Sequence, residues 1–147
     1  MTTTANVQAE TNVTQLAPYI FLYGRCEEAL EFYKSVLGGT YELMRVSEAP
    51  MADQWPAEAR NKVMHATFKA PGIMFYASDG QEEKTVDADA GNVSVALNIP
   101  DRATADRVFA GLAQGGKISM PLEDAFWGGR FGMIQDRFGT EWMITAV

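Results

Sequence analysis

The sequence predicts an α+β protein made of two tandem βαβββ modules. Three observations predict it. Two stretches change from alternating to helical spacing of their apolar residues, each helical stretch ends in a Gly-Gly pair, and three strand-like runs follow each of them.

The first stretch, PYIFLYGRCEEALEFYKSVLGG, opens with Tyr19, Phe21 and Tyr23 in alternation, the period of a strand. Cys26, Ala29, Leu30, Tyr33, Val36 and Leu37 then recur at helical spacing, and Gly38-Gly39 supplies the stop. The runs TYELMRV, KVMHATFKA and GIMFYAS follow as strands, and a long loop with two prolines and Trp55 separates the first run from the second. The second stretch, NVSVALNIPDRATADRVFAGLAQGG, repeats the grammar. Val93, Val95, Leu97 and Ile99 alternate, Asp101 is placed to cap a helix, Ala105, Val108, Phe109 and Leu112 form its stripe, and Gly115-Gly116 ends it. KISMPL, RFGMIQD and EWMITAV are the closing strands.

A shift of 76 positions pairs Tyr19 with Val95, Phe21 with Leu97, Tyr23 with Ile99, Ala29 with Ala105, Tyr33 with Phe109 and Gly39 with Gly115. Between the halves, SDGQEEKTVDADAGN is acidic and lacks apolar periodicity, the composition of a linker. The expected organisation is a polar, mobile tail over 1–16 and one domain over 17–147. Within it, module one spans 17–78, the linker 79–92 and module two 93–147. A single module cannot bury both faces of its sheet, so the two are expected to pack together.

A chain of 147 residues can bury a real core. Its net charge of −7 opposes a nucleic-acid partner, because phosphate binding requires clustered Lys and Arg. No apolar run approaches the roughly 20 residues of a membrane helix, and the polar start does not read as a secretory signal. Cys26 is the single cysteine, which excludes an intrachain disulfide and a Cys-based zinc site. The expected location is the cytoplasm. No Gly-rich phosphate loop or dinucleotide fingerprint stands out, and nothing of that kind supports S-adenosylmethionine use.

The paired βαβββ grammar, together with KVMHATF and MPLEDAFWGGRFGMIQDRFGTEWMI, resembles the vicinal oxygen chelate superfamily and, within it, the PhnB-like branch. This is the group of glyoxalase I, extradiol dioxygenases and bleomycin-resistance proteins. The resemblance implies cupped mixed sheets around a central cavity. In metal-using members a divalent ion there is held by His, Glu or Gln from the first and last strands of each module. The last ligand of the pattern D-P-x-G-x-x-x-E, counted from Asp136, falls on Met143. Counting from the helix and transferring through the repeat places the other three positions on Pro18, Phe75 and Ser94. None of the four is a good ligand for a hard or borderline ion, so no metal or other cofactor is expected.

Glu141 stands two residues before Met143. Alternation puts Glu141, Met143 and Thr145 on one face, and Glu141 either enters the cavity or meets solvent at the strand's start. His65, the single histidine, is either a general base or hydrogen-bond anchor in the cavity or a structural residue. Trp127 and Arg130 in FWGGRFG either rim the cavity, with Arg130 clamping an anion, or form a turn in which Arg130 pairs with an acid. Trp55 is placed to close the cavity, and Met residues along the strands suit a permissive pocket.

The leading expectation is therefore a small-molecule-binding protein without a tightly held metal, its ligand touching His65, Trp127, Arg130, Met143, Glu141 and Trp55. The alternative is a metal-dependent lyase, isomerase or dioxygenase with a relocated site using His65 and Glu141, the two candidate catalytic residues. A homodimer is expected in either case, since each module's cavity face needs a partner.

Overall fold

The computed structural model describes residues 13–80 and 91–146. The expected tail and linker therefore lie largely outside the described residues, as does Val147.

In module one, β1 (Tyr19–Phe21) leads into α1 (Cys26–Leu37), followed by β2 (Thr40–Arg45), β3 (Val63–Ala70) and β4 (Ile73–Ser78). Module two repeats the order with β5 (Val95–Ile99), α2 (Arg102–Ala113), β6 (Lys117–Asp124), β7 (Arg130–Gln135) and β8 (Glu141–Ala146). The two four-stranded sheets run β1-β4-β3-β2 and β5-β8-β7-β6. In each, the first and last strands of the module pair in parallel and the other neighbours are antiparallel. The predicted α+β architecture of two tandem βαβββ modules is the one observed.

The helices form where the apolar stripes predict. Cys26, Ala29, Leu30, Tyr33 and Val36 are the buried face of α1, which ends at Gly38 with φ of 75°, a conformation glycine adopts without a Cβ penalty. Asp101 caps α2 by accepting the Thr104 N–H at 2.8 Å, which holds its carboxyl below the usual range. Each sheet turns one face toward these helices and leaves the other open. Along β8, Trp142, Ile144 and Ala146 are buried, whereas Glu141, Met143 and Thr145 are half-buried on the open side.

The modules join through their helix-covered faces. A Cβ on Gly111 would lie 2.9 Å from a Val36 methyl, so the glycine permits the close approach of α1 and α2. Tyr33 of α1 donates its hydroxyl to Asp136 at 2.6 Å, and Trp142 donates its indole N–H to the same oxygen at 2.8 Å. The other Asp136 oxygen accepts the N–H groups of Phe138 and Thr140, so this buried carboxylate is bonded on both sides. Burial, then the neighbouring Asp136, pushes the Tyr33 phenol well above its ordinary range. Two reciprocal stacks tighten the joint. Arg25 lies 4.4 Å over the ring of Phe138, and Arg137 lies 4.3 Å over that of Phe32.

The repeat differs from the uniform shift of 76 in its first strands. Val95, Leu97 and Ile99 pack against the core, but Tyr19 and Phe21 are exposed on the open face, and Ile20 and Leu22 point inward instead. Counted from the last inward-facing residue to the helix, the connection after Leu22 holds three residues and that after Ile99 holds two, one fewer. Tyr23 (φ 37°) and Gly24 (φ 89°) absorb the extra residue in a left-handed turn. The alternation of Tyr19, Phe21 and Tyr23 is genuine, but it marks the open side.

Candidate functional site

The open face of sheet one is built of aromatic side chains. Tyr19 pairs in register with Tyr76, and Tyr76 with Thr67. The ring centroids of Tyr19 and Tyr76 lie 6.0 Å apart, and those of Tyr19 and Phe21 5.1 Å apart. His65 belongs to this face. Its ring lies 5.2 Å from that of Tyr76, and its Nδ1 is 3.1 Å from the Tyr19 hydroxyl. Val63 does not share that face, because the register shifts between Met44 and Arg45 and turns Val63 into the core. Trp55, carried by the short 3-10 turns between β2 and β3, lines a crevice of about 250 Å³ with Tyr19, Phe21 and Met64. The sequence located Trp55 and His65 but assigned Tyr19 and Phe21 to no site; their alternation was the available signal.

The open face of sheet two carries Met143, which pairs in register with Ala96 on one side and Met133 on the other. Phe131 stands on the same face, and Trp127 packs edge-on to it at 5.7 Å while remaining 63% exposed. Arg130 does not join them. Its strand position, paired with Ala146, faces the helix side. There its Nη1 lies 2.5 Å from Asp106 and its Nη2 donates to the Leu122 carbonyl. Of the two roles open to Arg130, the structure gives the structural ion pair, so the anion clamp at a cavity mouth is corrected.

The register also corrects the four expected ligand positions. Phe75 is 2% exposed, and its ring lies 6.4 Å from the equally buried Trp142, so it faces the core. Its neighbour Tyr76 is the module-one counterpart of Met143. Pro18 precedes β1 on the inward parity, and Tyr19 is the residue that stands beside Tyr76. Ser94 precedes β5, and Ala96 is the residue beside Met143. The positions equivalent in the two modules are therefore Tyr19, Tyr76, Ala96 and Met143. Two phenols, a methyl and a thioether do not fit a divalent ion that needs imidazole or carboxylate donors. Among the described residues, no group of three or more His, Cys, Asp or Glu could hold a metal ion.

Glu141 is half-buried at the start of β8, opposite Gln135, and lines a second crevice with Tyr19 and Phe21. His65 does not line that crevice; Tyr19, bonded to His65, stands on its wall. Trp55 and His65 of module one and Glu141 of sheet two thus gather around Tyr19, whereas Trp127 and Met143 line neither of these two crevices.

Comparison with known proteins places this geometry. The family model for 3-demethylubiquinone-9 3-methyltransferase matches residues 14–145. Protein YjdN of Escherichia coli (strain K12) is 30% identical over 142 residues, covering 90% of this chain and 95% of its own. The crystal structure of protein PA1353 from Pseudomonas aeruginosa superposes with a TM-score of 0.77 at 36% identity, covering 91% of this chain and 98% of that one. A putative 3-demethylubiquinone-9 3-methyltransferase, PhnB protein, from Bacillus cereus gives 0.71 at 25% identity, covering 91% and 100%. At the level of fold alone, a glyoxylase/bleomycin resistance protein/dioxygenase domain from Frankia sp. EAN1pec gives 0.61 at 13% identity, covering 92% and 93%. The chain belongs to the 3-demethylubiquinone-9 3-methyltransferase family, a PhnB-like branch of the glyoxalase/bleomycin resistance/dioxygenase fold.

Proposed function

We propose that this protein binds a small, partly apolar molecule on the open faces of its sheets, without a tightly held metal. The observation that carries the reading is the set Tyr19, Tyr76, Ala96 and Met143 at the module-equivalent positions, where the fold's metal-using members need strong donors. The aromatic and thioether side chains around them suit contact with an apolar body. The relocated metal site using His65 and Glu141 has no observation in its favour, since the phenol of Tyr19 takes the His65 Nδ1 contact.

A second copy of the chain completes the site in this reading. Tyr19, Phe21, Met44, Met120 and Trp127 are between 37% and 63% exposed, and Phe126 is 97% exposed. Such neighbouring apolar surface favours association, and symmetric pairing would set one copy's sheet against the other's. A cytoplasmic location belongs to the same proposal; no helix among the described residues is long and apolar enough to cross a membrane.

A thermal-shift screen of metabolites and antibiotics tests the binding reading. A ligand at 100 times its dissociation constant adds about 2.7 kcal/mol, a readily measured shift. Hits should weaken in Tyr76→Ala, and hits indifferent to Tyr76 and Tyr19 would overturn the site. Light scattering coupled to size exclusion tests the dimer: a mass near the 16.1 kDa of one chain across a tenfold dilution would overturn it.

A further inference from the structure

Where β1 of sheet one meets the beginnings of β5 and β8 of sheet two, a crevice of about 390 Å³ opens. Tyr19, Phe21, Tyr23, Val93 and Val95 are among its lining residues, and among the described residues Glu141 is the only charged one. The Glu141 carboxylate has no hydrogen-bond or ion-pair partner among the described residues. Beside it the rings form a continuous wall. Tyr19 and Phe21 lie 5.1 Å apart with 32° between their planes, and Phe21 stacks on Tyr23 at 6.2 Å and 22°.

These two features select the same ligand. A ring face carries the negative part of the aromatic quadrupole and attracts a cation, more strongly when water is excluded. A carboxylate without a counter-charge attracts a cation and repels an anion. A neutral apolar occupant would strip water from that carboxylate with nothing in exchange, which costs free energy. Among the described residues, no Lys or Arg lines the crevice to neutralise Glu141. The chain's net charge of −7 adds a long-range attraction of the same sign.

We propose that this seam between the modules binds an organic cation, an ammonium or quaternary ammonium group carrying an apolar or aromatic body. Glu141 is its counter-charge, and Tyr19 and Phe21 are the ring faces on which it rests. The proposal rests on the small-molecule-binding reading and adds the charge class of the ligand. It also gives Glu141 a role that requires no metal.

The test titrates benzyltrimethylammonium, benzyl alcohol and phenylacetate separately into the full chain. Binding is followed through the amide NMR shifts of Gly139, Thr140 and Glu141, which border the seam. The cation should give saturable shifts with an affinity at least about tenfold above the other two, in line with one charge and one ring contact. Glu141→Gln should weaken it about tenfold at low salt and less at high salt. Phe21→Leu should weaken the cation more than benzyl alcohol, because it keeps apolar bulk but removes the ring. Shifts elsewhere in the spectrum report whether each variant keeps its fold. Equal affinity for all three probes, or a cation affinity untouched by Glu141→Gln, overturns the charge class while leaving a small-molecule site. Absence of shifts with every probe overturns the seam as a site. The open-face reading, tested by the metabolite screen, would then stand or fall separately.

Discussion

Asp136→Asn tests the joint between the modules. The asparagine keeps one carbonyl oxygen, sufficient for the N–H groups of Phe138 and Thr140, which both bond to Oδ1. It places an NH2 group where Oδ2 accepts from Tyr33 and Trp142. The Tyr33 hydroxyl can rotate and accept instead. The Trp142 indole is a donor only, so a buried N–H is left facing another N–H. Losing a hydrogen bond to a charged group costs about 1.5–3 kcal/mol, and leaving the indole unsatisfied adds about 1–3 kcal/mol. The expected loss is about 3–5 kcal/mol, a large share of the ~5–15 kcal/mol that holds an ordinary domain together. Urea unfolding at neutral pH, followed by tryptophan fluorescence, should show a lower midpoint with an unchanged slope. Tyr33→Phe, which removes one donor and leaves no buried group unsatisfied on its own side, should cost less than Asp136→Asn. A loss below about 1 kcal/mol for Asp136→Asn would show that the Trp142 indole finds another partner, because a buried unpaired indole cannot be that cheap.

Four further outcomes follow from the same geometry. Burial, then Asp79 and Glu27, pushes the Cys26 thiol up to about 12, so native protein at pH 8 should react with iodoacetamide at least about a hundredfold more slowly than protein in urea; comparable rates would contradict it. Because the folded value lies above the unfolded one, this group's contribution to stability is fully present below the unfolded value near ~8.5. It is lost as pH rises toward the folded value, so stability should fall through the alkaline range. Gly111→Val forces a side chain against Val36 and should cost about 1–3 kcal/mol in urea unfolding, whereas helix propensity alone predicts a gain. Arg130→Met should leave binding of a screened ligand unchanged and cost about 0.5–1 kcal/mol, since its partner Asp106 is largely exposed; lost binding would return Arg130 to the site.

The fold was legible because its signals are local. The change of period at Cys26 and at Arg102, the Gly38 stop and the Asp101 cap are each decided within a few residues, and each is found where the spacing predicts. The site was less legible because it depends on strand register. One extra residue at Tyr23-Gly24 turns Tyr19 and Phe21 to the open face, and a one-residue slip exchanges Tyr76 for Phe75. Both faces of these strands are rich in apolar residues, so alternation alone does not say which face meets the helices. Arg130 illustrates the same limit, since its side was fixed by Asp106, 24 positions away. The structural role of Asp136 is only half legible in the sequence. An Asp opening a turn before Phe-Gly signals local bonds to the backbone, which occur, but the bonds from Tyr33 and Trp142 arise only when the modules meet.

If the open faces bind their ligand without a metal, a screening hit should produce the same thermal shift before and after exhaustive treatment with EDTA. The shift should also be lost in Tyr76→Ala. A shift abolished by EDTA and restored by one equivalent of a divalent ion would contradict metal-free binding.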